Sequence, residues 1–310
     1  MNPIGTESIL EVQGVKLHWA ERGEGRPLVL LHGVSDSHRT WRRVAPALAA
    51  HRRVLMLDLP GHGLSDRPDA SYDLDWNAKL VAAWFDLLGL DDVEVVGHSY
   101  GGGVAQQLLL HRTGQVRRLG LVSSGGLGRY VPLGLRLMSL PILEKLAQPF
   151  MHLGTRIALA TSFGNCFELE ERAWLAWANG APGTGRALAR TVRGVIGPFG
   201  QHKQFLDRAH EIDRLPPVAM YWGTDDPVLP FAHGLRARQF VQNSQFVQFD
   251  GCGHFPHLEQ PAKFVEALGS FLNDGDAIRA TIAVPLGLPR RRSWLRRAAE
   301  RVGRFFAELF

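Results

Sequence analysis

Cysteine is scarce in this chain of 310 residues, and long hydrophobic runs are absent. The two cysteines, Cys166 and Cys252, are too few for a disulfide framework, which is typical of a protein from a reducing compartment. No stretch approaches the roughly 18 uninterrupted apolar residues of a membrane span. The first eleven residues contain no basic region followed by an apolar run, so no secretory signal is predicted. We therefore expect a cytoplasmic location.

The common cofactor and metal motifs are also missing. The sequence contains no G-x-G-x-x-G dinucleotide fingerprint, no Walker P-loop and no H-E-x-x-H pair. His254 and His257 are three residues apart, but no cysteine pattern accompanies them, and this argues against zinc. We expect neither an organic cofactor nor a metal.

The positive charge is confined to the C-terminal end. The whole chain has 35 basic and 30 acidic side chains, a net charge of +5. Residues 290–310 contain seven Arg and two Glu, which is also +5, so residues 1–289 are neutral in sum. A neutral body argues against nucleic-acid binding, and no nucleic-acid partner is expected.

Short apolar runs of strand length alternate with segments of helical period, such as residues 77–88 and 104–112. The runs have almost no polar alternation, as expected of strands that helices cover on both faces. This order predicts an α/β fold with a mostly parallel twisted sheet, helices on both faces and an antiparallel edge hairpin around residues 11–20. The predicted buried strands are Pro27–His32, Val54–Leu59, Val93–Gly97, Leu119–Ser123 and Val218–Trp222.

The alternation of strand-like and helical segments stops between the predicted strands Leu119–Ser123 and Val218–Trp222. Short helical segments that Gly and Pro punctuate replace it. We interpret residues 126–214 as a helical cap inserted into a core formed by residues 1–125 and 215–275.

The C-terminal end has a different pattern. Residues 276–289 form a linker broken by Pro and Gly. In residues 290–310, apolar side chains such as Trp294 and Phe305 fall on one helical face, opposite Arg. Such a basic amphipathic helix either contacts the inner membrane face as a peripheral anchor or packs on the body or on a second subunit. The sequence leaves these alternatives and the oligomeric state open.

A candidate nucleophile lies in the sequence GHSYG, residues 97–101. A buried strand leads into this motif, and a helical segment with further glycines leads out of it. A serine on a strand-to-helix turn requires small residues two positions before and after it, and the turn directs the free N–H groups of the helix towards whatever the serine attacks. We identify Ser99 as the nucleophile; the blander interpretation is a glycine-rich turn with an incidental serine.

A serine hydroxyl needs a base to accept its proton, and the base needs an acid to fix its tautomer. Asp226 follows a predicted strand in the sequence WGTDDP, and Asp225 is the alternative acid. His254 lies in the glycine-rich sequence GCGHFP, after a predicted last strand at residues 246–249.

At these residues the chain resembles the α/β-hydrolase superfamily, specifically its capped, lipase- or esterase-like members with a serine nucleophile. The resemblance implies a triad of Ser99, Asp226 and His254, and an oxyanion hole formed by the backbone N–H groups of Val34 and Tyr100. The matching segments are LHG at 31–33, DLPGHGLSD at 58–66, GHSYGG at 97–102, WGTDDPVLP at 222–230 and GCGHFPHLEQP at 251–261.

The resemblance implies hydrolysis of a carboxylic ester through an acyl-enzyme, and the apolar cap favours a small lipid-like or other apolar ester as substrate. Carbon–carbon bond hydrolysis of ring-cleavage dienoates is the nearest alternative, although those relatives have Trp after the catalytic His, where this chain has Phe255 and Leu258. A cofactor-free perhydrolase and a non-catalytic membrane-associated binding protein also remain open. Epoxide hydrolases and haloalkane dehalogenases of this fold need Asp at position 99.

Overall fold

The computed structural model describes residues 3–162, 166–212, 214–275 and 278–282. An eight-stranded sheet forms its centre, in the spatial order β1-β2-β4-β3-β5-β6-β7-β8. β2 pairs antiparallel with both β1 and β4, and every other pair in this sheet is parallel. The sheet confirms the predicted fold class. Its strands are β1 Thr6–Val12, β2 Val15–Arg22, β3 Pro27–Leu31, β4 Arg53–Leu57, β5 Val93–His98, β6 Val116–Val122, β7 Val218–Gly223 and β8 Gln245–Phe249.

Eleven α-helices lie among the described residues, together with short 3-10 turns and two small ladders that pair residues 196–197 with 200–201 and 241–242 with 281–282. The α-helices are α1 Ala45–Leu48, α2 Leu74–Leu88, α3 Tyr100–Arg112, α4 Leu133–Leu137, α5 Ile142–Leu146, α6 Met151–Ser162, α7 Leu169–Asn179, α8 Thr184–Val195, α9 Phe231–Phe240, α10 Pro256–Glu259 and α11 Pro261–Asn273.

The central strands are buried on both faces, and this explains their uniformly apolar sequences. In β3, Val29 and Leu31 pack in one buried cluster with residues of α2 and α3. Leu28 and Leu30 point the other way, into a second cluster that includes Trp41 and residues of α11. Successive side chains of a strand alternate between faces, so both sets must be apolar when helices cover both.

Helix α2 begins three residues before the predicted start at residue 77. Its N-cap, Asp73, accepts a hydrogen bond from the Trp76 N–H at 2.8 Å. This capping bond satisfies one of the free amides of the first turn and allows the helix to begin at Leu74.

The chain between β6 and β7 forms helices α4 to α8, and several polar contacts hold this segment to the sheet-bearing part. Arg39 Nε donates to Glu171 Oε2 at 2.9 Å, Asn179 Nδ2 donates to the Ser35 carbonyl at 2.9 Å, and Arg67 Nε donates to Thr184 Oγ1 at 2.7 Å. The division into a core and a cap at residues 126 and 214 stays a prediction.

Among the residues that the structure describes, no helix combines the length and apolar character needed to cross a bilayer. The predicted amphipathic helix at residues 290–310 lies outside the described residues. Of the predicted linker at 276–289, only residues 278–282 lie within them.

Candidate active site

Ser99 lies at a sharp turn between β5 and α3. Its backbone has φ 51° and ψ −114°, a conformation that L residues rarely adopt. The Ser99 N–H donates to the Val122 carbonyl at 2.9 Å, and the Ser99 carbonyl accepts from the Gly125 N–H at 2.9 Å. These bonds to the end of β6 stabilise the strained turn, and strain of this kind concentrates at functional sites.

Glycines make this turn possible because neighbouring backbone lies where a side chain would be. A Cβ on Gly97 would overlap the backbone of Gly101 and Gly102, and one on Gly101 would overlap the carbonyl oxygens of Leu31 and His32. The start of α3 therefore packs directly against the end of β3.

Replacing Gly101 by Ala should destabilise the protein by roughly 3 kcal/mol, because backbone atoms cannot yield as a flexible side chain does. Chemical denaturation measures the change in the free energy of unfolding. Gly114→Ala is the matched control, since a Cβ there meets no atom within 4 Å. Equal stability of the two variants would contradict this account of the turn.

His254 and Asp226 form a buried acid–base pair. His254 Nδ1 lies 2.8 Å from Asp226 Oδ2, and both residues are less than 10% exposed. Asp226 Oδ1 accepts from the N–H groups of Val228 and Leu229 at 2.8 and 2.9 Å. A carboxylate so held accepts the Nδ1 proton and leaves Nε2 of His254 with a free lone pair.

Three hydrogen bonds hold the backbone at and next to His254. The Gly253 N–H donates to Glu259 Oε2 at 2.7 Å, and the Phe255 N–H donates to Glu259 Oε1 at 3.0 Å. The His254 carbonyl accepts from His98 Nε2 at 2.9 Å. One carboxylate and one imidazole thus hold the peptide units on both sides of the ring.

The two predicted oxyanion donors belong to the start of α3 and to the loop after β3. Tyr100 is the first residue of α3, and its hydroxyl donates to the Tyr72 carbonyl at 2.9 Å. Val34 follows Gly33, and a Cβ on Gly33 would lie 3.2 Å from Ser99 Cβ. The loop after β3 therefore contacts the serine directly.

The three predicted triad residues are buried. Ser99 and Asp226 are 8% exposed and His254 is 4% exposed. Next to His254, Phe255 and Leu258 pack in a buried cluster with Leu159, Phe167 and Leu175, which belong to the helical segment between β6 and β7. These residues form an apolar wall beside His254.

Comparisons with known proteins identify the family of this chain. The model of the alpha/beta hydrolase family matches residues 28–267. The chain belongs to the alpha/beta hydrolase family. This hydrolase is 33% identical over 292 residues to an uncharacterized protein of Mycobacterium tuberculosis, a match that covers 90% of this chain and 85% of that protein.

Two other similar proteins have an activity in their names. This hydrolase is 30% identical over 275 residues to the 2-hydroxy-6-oxo-2,4-heptadienoate hydrolase of Pseudomonas putida, covering 84% of this chain and 93% of that protein. It also matches the solved structure of the epoxide hydrolase CorEH with a TM-score of 0.72 and 26% identity, covering 86% of this chain and 98% of that one. The family is shared, whereas the bond that is cleaved differs among relatives.

His32 and His62 support the loops around the site of this hydrolase as neutral imidazoles. His32 Nε2 accepts from the Leu59 N–H at 3.0 Å, while its Nδ1 donates to the Gly33 carbonyl at 2.7 Å. His62 Nδ1 donates to the Pro60 carbonyl at 3.0 Å. Burial lowers the pKa of His32 to about 4 and that of His62 to about 3.

These two depressed pKa values make the hydrolase less stable in mild acid. Between each folded-state pKa and the ordinary value of 6.5, the unfolded chain binds more protons than the folded one, so stability is lost as pH falls. At pH 5 each histidine should cost about 2 kcal/mol relative to neutral pH. Denaturant titrations at both pH values measure this loss. His62→Gln should shrink it and the control His51→Gln should not; identical slopes in both variants would refute the assignment.

One group of residues in the hydrolase has potential metal ligands close together. Atoms of His18, His38 and Asp58 lie within 4.8 Å of one another. The Asp58 carboxylate already accepts from Nδ1 of both histidines and from the N–H groups of His38 and Leu64, at 2.6 to 3.0 Å. Burial opposes the ionisation of Asp58, but the two histidines outweigh it and hold its pKa well below the usual value. Hydrogen bonding accounts for this group.

The structure thus places Asp226 against His254, and Gly33, which precedes Val34, close to Ser99. Two residues of the site were missed in the sequence, Glu259 and His98. The signal for Glu259 was its position as the only carboxylate in the segment 251–261, where it alone can accept from the backbone of that loop. His257, which the sequence places near His254, instead lies 3.0 Å from Thr40 Oγ1 through its Nε2.

Proposed function

We propose that this chain is a serine hydrolase that cleaves carboxylic esters with an apolar acyl group. The observation that carries the proposal is the pair formed by His254 and Asp226, in a chain whose nucleophile candidate Ser99 lies at a strained strand-to-helix turn. The buried apolar cluster of Phe255, Leu258 and their neighbours beside His254 favours an apolar substrate.

The reaction proceeds in two halves. His254 Nε2 takes the proton of Ser99 as Oγ attacks the ester carbonyl, and the N–H groups of Val34 and Tyr100 stabilise the oxyanion. His254 then gives that proton to the leaving alcohol, and an acyl-enzyme remains. In the second half His254 accepts a proton from water, which attacks the acyl-enzyme. His254 then returns this proton to Ser99 Oγ as the bond between Oγ and the acyl carbon breaks and the acid is released. Asp226 stabilises the imidazolium in both halves.

A second candidate is hydrolysis of a carbon–carbon bond in a dienoate, with the same three residues. The relative in Pseudomonas putida that is 30% identical has this kind of substrate in its name. The apolar cluster favours the ester, because a dienoate brings a carboxylate that needs a hydrogen-bonding or cationic partner when it is buried. The two arginines that contact this cluster, Arg42 and Arg43, are already bound by Glu168.

The test is hydrolysis of p-nitrophenyl esters of increasing acyl length, alongside the loss of absorbance of a 2-hydroxy-6-oxo-dienoate. We expect turnover of medium-length esters, with an optimum that reflects the size of the site. Efficient cleavage of the dienoate together with negligible ester turnover would replace the first candidate by the second. Failure of a fluorophosphonate to label Ser99 would remove both and favour a binding protein.

A further inference from the structure

The first half of the segment between β6 and β7 exposes an unusual number of large apolar side chains. Each of its three helices exposes a pair spaced by four residues, and such a pair lies on one side of its helix. Every one of these side chains is between 51% and 67% exposed. We call the set the apolar cap face; it consists of Leu133 and Leu137 on α4, Ile142 and Leu146 on α5, Leu153 and Ile157 on α6, and Phe150 between the last two helices.

This concentration is not a general property of the surface. Elsewhere, exposed large apolar residues of the described sheet-bearing part occur singly, for example Ile9 on β1 and Leu87 on α2. Single exposed apolar residues are ordinary, whereas a concentration of them marks an interaction site. The apolar cap face therefore needs a partner.

The charges that accompany this face are positive. Residues 129–157 contain four cationic side chains, Arg129, Arg136, Lys145 and Arg156. Their one carboxylate, Glu144, is bound by Arg190 and Arg193 at 2.7 and 2.6 Å. Arg136, Lys145 and Arg156 each stand three positions after an exposed apolar residue, so they share a side of their helix with it. The face is therefore accompanied by positive charge, and Glu144 is already bound from elsewhere.

The positive charge that accompanies the apolar cap face favours some binding partners over others. A second copy of the chain, docked by the same face about a twofold axis, would bring two sets of these positive charges together. Residues 290–310, with seven Arg and two Glu, would meet the face with like charge too. An anionic lipid surface complements both its apolar and its cationic groups. We propose that the apolar cap face docks on the surface of membranes that contain anionic phospholipid.

The experiment is co-sedimentation of the full chain with two kinds of vesicle, phosphatidylcholine alone and phosphatidylcholine mixed with phosphatidylglycerol. We expect binding to the mixed vesicles that weakens with salt. The double variant Leu133→Glu with Leu146→Glu should reduce the bound fraction at least about tenfold, because two inserted leucines are lost. The matched control is Leu87→Glu, which changes a leucine that is 58% exposed on α2, and it should bind like the wild type.

Three results would overturn the proposal. Wild-type protein that stays in solution with both vesicles would end it. Unchanged binding of the double variant, with binding lost only when residues 284–310 are removed, would assign the contact to the C-terminal segment alone. A dimer in gel filtration that the double variant dissociates, without vesicle binding, would assign the face to a second copy.

A separate observation concerns the three bonds that hold the backbone of His254. We infer that Glu259 and His98 are positioning residues for this base, an inference that rests on the proposed function. Gly251, with φ 65°, and Gly253 precede His254 and leave its loop free to adopt many conformations. The Glu259 carboxylate fixes the N–H groups on both sides of His254, and His98 fixes its carbonyl. Displacing a reacting group by about 1 Å can cost roughly 100-fold in rate.

Glu259→Gln tests this directly, because an amide has one acceptor oxygen and its NH₂ would face a backbone N–H. We expect kcat to fall roughly 10- to 100-fold with KM nearly unchanged. Glu266→Gln, an exposed change on α11, is the matched control. His98→Leu should also lower kcat, and His98→Gln should restore part of it since its amide can donate to the His254 carbonyl.

The proposed function and the positioning role fail in different ways. If the wild type turns over no ester and Ser99 is not labelled by a fluorophosphonate, the function fails. If the wild type is active and labelled, but Glu259→Gln and His98→Leu keep its kcat and pH profile, the positioning role fails. A parallel fall in kcat of Glu266→Gln would also overturn it, since the effect would not depend on the loop.

Discussion

Replacing Ser99 by Ala is expected to lower kcat for ester hydrolysis by about 10⁴- to 10⁶-fold, the largest effect of any single substitution in this chain. The change removes the Oγ that attacks the carbonyl and nothing else. Alanine and serine tolerate the positive φ at this turn about equally poorly, so the fold should survive. Initial rates on the best p-nitrophenyl ester, with thermal unfolding as a check on folding, measure the effect.

Ser8→Ala on the edge strand β1 is a suitable control, since that serine lies at the far edge of the sheet from Ser99. It should keep full activity and full labelling by a fluorophosphonate. If the Ser99 variant retained more than a small fraction of the activity, with labelling intact, another nucleophile would have to be sought.

Asp226→Asn should lower kcat by about 10⁴-fold while leaving the fold intact. Oδ1 of Asp226 accepts from two backbone N–H groups, so the amide oxygen of Asn must occupy that place. Its NH₂ group then faces His254 Nδ1, which has to accept a hydrogen bond and leave its proton on Nε2. In that tautomer His254 cannot accept the proton of Ser99.

The neighbouring residue offers a close control. Asp225 accepts from the Thr224 hydroxyl at 3.1 Å, and Asp225→Asn should retain nearly all activity. The pH dependence of kcat/KM is measured for the Asp225 and Asp226 variants alongside the wild type. An Asp225 variant as impaired as the Asp226 variant would show that the acid had been assigned to the wrong member of the pair.

Local patterns made the sheet and the elements around Ser99 predictable. The apolar runs at 27–31, 93–98 and 218–223 reflect burial on both faces of the sheet. This burial is the same whatever the order of the strands, so the runs can be recognised without knowing that order. The turn at Ser99 needs glycine on both sides for steric reasons that the sequence displays. Several observed strand ends differ from the predicted ones by one to three residues, because hydrogen bonding to the neighbouring strands determines where a strand ends.

Contacts between distant segments that no motif indicates could not be predicted from the sequence. The bond from His98 to the His254 carbonyl joins residues 156 positions apart, and nothing local to either residue announces it. Helix α8, at residues 184–195, was not identified either, because it has few large apolar side chains, although Leu188 and Val192 lie on one buried face. The role of Glu259 depends on a loop conformation that only the assembled structure displays.

The sheet order described above also decides when the nascent chain can complete its fold. β6 ends at Val122, and its parallel neighbour β7 begins only at Val218. Until translation has passed residue 223, β6 has an unpaired edge that invites pairing with other chains. Parallel strands so far apart in sequence close slowly because the entropy of a long loop must be lost first. The helices between these strands thus set an interval during synthesis in which that edge of β6 has no strand partner.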